Sequence, residues 1–130
     1  MTTTAEQVLK EFFSKLGPPY KVARASFEEY LADDCVWENS GFPTCNGKQA
    51  CLEFLDHFAG ATGTDSFEFE IRSWAAAGNA VVTERIDHFR TADGTTWASL
   101  ALGGVLEVGD DGKIVAWRDY FDPRPLLPPG

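Results

Sequence analysis

The chain has 130 residues, enough for one domain with a proper apolar core and no need of covalent staples. A hydrophobic fraction of 44% with 10 Phe, 4 Trp and 3 Tyr predicts a globular fold with an aromatic interior. A formal net charge of −9 excludes the basic footprint that nucleic acid or an anionic membrane requires, and it disfavours anionic substrates.

Thr4 and Gln7 form a capping box ahead of an apolar helical stripe of Val8, Leu9, Phe12, Phe13 and Leu16. Gly17-Pro18-Pro19 ends that helix, and a second runs from about Val22 to Leu31. Asp33-Asp34 reads as a loop, Cys35–Ser40 as a strand, and Gly41-Phe42-Pro43 as its break. Gly47-Lys48-Gln49 leads into a third helix with apolar positions Ala50, Cys51, Phe54, Leu55 and Phe58. The second half changes texture. Phe67–Ala76, Ala80–Arg90, Thr96–Val108 and Ile114–Phe121 are strand-like, joined at Gly78-Asn79, Asp93-Gly94 and Asp111-Gly112. They predict an antiparallel meander, with Gly103-Gly104 as a bulge or bend that curves it.

Helices first and a long sheet after predict an α+β domain over residues 1–122. Its curved, mostly antiparallel sheet packs on the three helices as a cone. Residues 123–130, with four prolines, cannot extend the sheet and read as a surface tail. Val82 and Ile86 alternate with Glu84 and His88 on the outer sheet face, which predicts a homodimer covering that face. Met1–Leu16 lacks the basic start and long apolar run of a secretory signal, and no stretch has the length of a membrane span. Cys35, Cys45 and Cys51 make an odd count without CxxC spacing. Three free thiols in a reducing cytoplasm are the simplest expectation, with a Cys45–Cys51 disulfide as the lesser alternative.

Three strand-like stretches each place two polar or indole side chains at i and i+2: Trp37/Asn39, Arg85/Asp87 and Trp117/Asp119. Such pairs point to one face of a strand. If the faces converge, one pocket holds two carboxylates, an arginine, an amide and two indoles. Two carboxylates flanking an arginine in a dry site can hold different protonation states, which is equipment for acid–base chemistry on an apolar substrate. His57 and His88 have no spaced partner, so no metal site is expected. Ser40 and Cys35 have no evident base, which disfavours covalent catalysis. Structural alternatives stand beside each reading. Arg85–Asp87 is also what a salt bridge on a wet strand looks like, and Asn39 can satisfy loop backbone near Gly41. Trp37 and Trp117 can simply be core.

The strings Val36-Trp37-Glu38-Asn39, Thr83-Glu84-Arg85-Ile86-Asp87 and Ala116-Trp117-Arg118-Asp119-Tyr120-Phe121-Asp122 resemble the limonene-1,2-epoxide hydrolase family. That family sits within the cystatin-like (SnoaL-like) cone folds, with ketosteroid isomerase and polyketide cyclases. The resemblance implies a cofactor-independent hydrolase that adds water to a small apolar epoxide. It implies Asp119 as the base that activates water, Asp87 as the proton donor, Arg85 as the bridge, and Asn39 as the amide that holds the water. Trp37 and Trp117 then lie on the substrate and water side. Trp37 departs from the family pattern, where a tyrosine stands. An indole N–H donates but cannot accept, so a water held there has one acceptor fewer. A proton-transfer isomerase or cyclase, or a non-catalytic ligand-binding or dimerisation module, is the alternative on the same cone.

Overall fold

The computed structural model describes residues 4–127. Helix α1 (Ala5–Phe13) starts at the expected capping box, where Gln7 N–H donates to Thr4 Oγ1 at 3.1 Å and Thr4 N–H donates to Gln7 Oε1 at 2.9 Å. The helix stops before the end of its apolar stripe. Leu16 lies beyond it, buried, and its carbonyl accepts from Phe67 N–H at 2.9 Å. Helices α2 (Tyr20–Tyr30) and α3 (Lys48–Thr62) follow, the latter closed by Gly63 in the left-handed region at φ 74°.

Six strands form one mixed sheet: β1 (Leu31–Asn39), β2 (Cys45–Asn46), β3 (Thr64–Ala77), β4 (Ala80–Thr91), β5 (Thr96–Val108) and β6 (Ile114–Tyr120). Their order is β2-β1-β6-β5-β4-β3. Strands β3 to β6 make the expected meander, and β1 adds to its β6 edge in parallel. The short β2, unanticipated in the sequence, caps the far edge against β1. Asp33-Asp34 does not open a loop but lies inside β1. The β1–β6 register breaks between Leu31 and Val36, so the two carboxylates stand out to water at an irregularity in the ladder. Gly103-Gly104 is not a bulge either, because the β4–β5 and β5–β6 ladders pass through both residues without a register shift.

The helices cover one face of this sheet, and strand alternation decides what they cover. Along β4, Val81, Thr83, Arg85, Asp87 and Phe89 point inward and are buried, whereas Val82 points outward and is 51% exposed. Phe12 and Phe27, from the first two helices, meet edge to face at 5.1 Å, and both pack on Trp117 of β6. After Asp122 the chain makes a short 3-10 turn (Arg124–Leu126), whose Leu126 folds back against the core. Cys35, Cys45 and Cys51 are buried free thiols. Among the described residues, no helix is long and apolar enough to cross a membrane.

Candidate active site

Three neighbouring strand relationships assemble the site. The parallel β1–β6 register places Trp37 beside Trp117 and Asn39 beside Asp119. Across β5, Gly104 stands between Thr83 of β4 and Asp119 of β6. The three i, i+2 pairs therefore share the inner face, as their parity requires.

Arg85 is the centre of this arrangement and has no exposed surface. All five of its guanidinium N–H groups are used. Nε donates to Asp87 Oδ1 at 2.9 Å, and Nη2 donates to Asp87 Oδ2 and Asp119 Oδ2 at 2.8 Å each. Nη1 donates to Thr83 Oγ1 at 3.1 Å and Asp119 Oδ1 at 3.2 Å. The guanidinium also lies 4.6 Å from the centre of the Phe69 ring. A buried charge held by two bidentate carboxylates and an aromatic face is fully compensated. The wet-strand reading of Arg85–Asp87 is therefore overturned: these groups sit in the interior.

Asp119 receives a further donor from its own strand, Trp117 Nε1–H at 2.9 Å. The carboxylate is thus fixed by three donors from two side chains. Burial pushes the Asp87 carboxyl up to about 6, against the opposing pull of Arg85. Arg85 is also desolvated, but Asp119 and Asp87 more than offset this and hold its pKa above the usual range. A carboxyl near 6 is protonated in roughly one-tenth of molecules at neutrality, far more than an ordinary aspartate, which suits a proton donor.

The carboxylates open onto a partly enclosed, mostly apolar cavity. Eight phenylalanines, two tryptophans and four leucines line it, and beside the two indole N–H groups the polar atoms come from Asn39, Asp87 and Asp119. Arg85 stands behind the carboxylates, outside the lining. Asn39 uses its backbone carbonyl to accept from Phe42 N–H at 3.0 Å. Its side-chain amide makes no hydrogen bond among the described residues, so the loop does not consume it. Trp37 is buried, stacked on Trp117 with ring centres 4.8 Å apart and an interplanar angle of 22°. Its Nε1–H is enclosed without a partner.

Sequence reasoning missed two members. Thr83 accepts from Arg85 and donates to Gly104 O at 3.1 Å, joining the site to the ladder. Its signal was its place two residues before Arg85, in the same parity. Gly104 is the other. A Cβ there would overlap Asp119 Oδ1 and stand 2.8 Å from Arg85 Nη1, so only glycine leaves room for the ion pair across β5. The outer face holds His88, hydrogen-bonded to Ser99 at 2.7 Å and Glu70 at 2.9 Å, away from the cavity. Among the described residues, no group of three or more His, Cys, Asp or Glu is placed to hold a metal.

Comparison with known proteins adds to this geometry. A family model described as limonene-1,2-epoxide hydrolase catalytic domain matches residues 4–128. The chain is similar to the epoxide hydrolase EphG of Mycobacterium tuberculosis, 41% identical over 92 residues. That match covers 71% of this chain and 58% of the relative's length. A solved LEH-like epoxide hydrolase of M. tuberculosis superposes with a TM-score of 0.73 at 32% identity, covering 96% of this chain and 83% of that one. A SnoaL-like polyketide cyclase structure from Shewanella putrefaciens reaches the same TM-score at 14% identity, covering 94% and 82%. That likeness concerns the fold alone.

Proposed function

Because the chain belongs to the limonene-1,2-epoxide hydrolase family, we propose that it adds water to a small apolar epoxide, without a cofactor, to give a vicinal diol. The observation that carries the reading is the pair of buried carboxylates bound to one guanidinium nitrogen at the head of an apolar cavity. In the reaction, Asp87 gives its proton to the oxirane oxygen as the C–O bond breaks. Water attacks that carbon from the far side and loses a proton to Asp119. Protonation and attack in one step avoid both a free alkoxide and a free hydroxide. The site resets when one proton passes from Asp119 to Asp87, so water alone is consumed.

Each remaining group has a positioning task. Arg85 and Trp117 donate to Asp119 and leave it one acceptor direction for the water. Asn39, next to Asp119 across the β1–β6 register, holds that water through its free amide. Trp37 supplies the wall beside it. Positioning of this kind is a large part of what such a site contributes to rate.

Two copies pair, in this proposal, through the outer sheet face. Val82 and Ile86 stand there with Val105, Ala101 and the 58% exposed Tyr120 on neighbouring strands, interspersed with Glu84 and Arg118. Three unpaired thiols favour the reducing cytoplasm as the compartment.

The function is tested by Asp119→Asn, assayed on a panel of apolar epoxides beside the parent protein. The amide keeps the carboxylate's shape but cannot take a proton, so turnover should fall by about 10²–10⁴ while the thermal melt stays cooperative. A folded variant that retains full turnover would exclude Asp119 as the base. A parent protein that opens no epoxide would overturn the proposal.

A further inference from the structure

The cavity wall says more about the substrate than that it is apolar. Its amide and two carboxylates all belong to the reacting end, and every other lining residue is Phe, Trp or Leu. Apart from the Trp37 Nε1–H, the rest of the wall offers no partner, so a further hydroxyl, carbonyl or charge set against its phenylalanines and leucines would be buried at a cost larger than one hydrogen bond contributes. The rings are also arranged in a particular way. Phe54 meets Trp37 edge to face at 5.4 Å and Phe42 at 5.6 Å, and Phe67 meets Phe89 edge to face at 5.7 Å. Phe58 tilts onto Phe89 at 5.7 Å. These contacts are between the wall's own rings, and a planar ring entering among them can make edge-to-face contacts of the same kind. An aliphatic ring finds area and nothing directional.

Resting on the epoxide-opening reading, we infer that the substrate is an aryl oxirane: an epoxide carrying an aromatic ring and no other polar group. The aromatic wall selects the ring, and Asp87 and Asp119 take the oxirane.

The test separates the ring's recognition from the chemistry. The two probes are 1-phenylethane-1,2-diol and 1-cyclohexylethane-1,2-diol, the products expected from phenyl- and cyclohexyl-oxirane. Binding of each to the intact protein is measured by calorimetry, and turnover of the two oxiranes is followed alongside. The cyclohexyl ring presents the greater apolar surface, so burial alone ranks it first. The inference expects the phenyl diol to bind about three- to tenfold more tightly. It also expects this margin to shrink in Phe54→Leu, which keeps the wall apolar but removes its edge-to-face partner. Phe58→Leu serves as a second variant if the first melts early. Equal binding, or tighter binding of the cyclohexyl diol, overturns the inference even if phenyl-oxirane is hydrolysed. Failure of both diols to bind overturns it too. A phenyl preference in binding with no turnover of either oxirane leaves the ligand class standing and removes the hydrolase reading.

Discussion

Gly104 and Asp119 are paired across β5 and β6, and the missing side chain of the first is the space occupied by the carboxylate of the second. The Arg85–Asp119 ion pair passes through that gap. Gly104→Ala should therefore cost about 1–3 kcal/mol of stability, the range for overpacking a filled interior. It should also lower turnover severely by displacing Asp119 from Arg85. Denaturant melts and an epoxide assay check both effects. A stable, fully active alanine variant would mean that the carboxylate does not need this place.

With its carboxyl raised to about 6 by burial, Asp87 should set the pH response if it is the proposed acid. A proton donor must be protonated, so kcat/KM should fall by about tenfold per unit as pH rises above about 6. Stability moves the same way. The folded state holds this proton more tightly than the unfolded chain, whose carboxyl titrates near its usual value of about 3.9. The contribution is fully present below that value and is lost as pH rises through about 6. Asp87→Asn removes the titration, so its stability should lose this slope and its turnover should vanish. A wild-type profile that rises through pH 6 would contradict Asp87 as the acid.

Much of this site was legible in the sequence, because a strand's period of two is strict. With 83–87, 117–119 and 37–39 as strands, parity puts each pair, Arg85 with Asp87, Trp117 with Asp119 and Trp37 with Asn39, on one face of its own strand. What parity does not give is which strands are neighbours. The parallel pairing of β1 with β6, which sets Asn39 beside Asp119, depends on contacts far apart in the chain. The same limit hid Gly104. A glycine pair in a strand signals either a bend or a close approach, and only the register across three strands shows the latter. Asp33-Asp34 misled for a local reason: paired acids usually mark a loop, but here an irregularity lets β1 carry them outward.

Trp37 presents a buried donor with no acceptor beside it. Trp37→Tyr supplies a hydroxyl that both donates and accepts, so water beside Asn39 and Asp119 should be better held and kcat should rise. The smaller ring loses contact with Trp117, which should lower stability by about 0.5–1.5 kcal/mol. Turnover of one epoxide by both proteins, with melts in parallel, decides the matter. A fall in kcat would show that the indole itself is the functional group.

The outer face that carries Val82, Ile86 and Tyr120 should be covered by a second copy in solution. Light scattering at micromolar concentration should give twice the chain mass of 14.3 kDa. Val82→Lys, which sets a charge on the outer face, should shift the protein toward a single chain. A monomer for the parent protein would refute the pairing, while leaving the site intact, since every proposed catalytic group comes from one chain.

The central claim is that water attacks the epoxide directly, with Asp119 taking a proton and forming no bond to carbon. A single turnover in oxygen-18 water, with protein in excess over phenyl-oxirane or another epoxide it opens, tests this most directly. The diol and the protein are then weighed by mass spectrometry. Direct attack predicts one heavy oxygen in the first-turnover diol and none in Asp119. An unlabelled diol with heavy oxygen in the Asp119 carboxylate would show an ester intermediate and contradict the account.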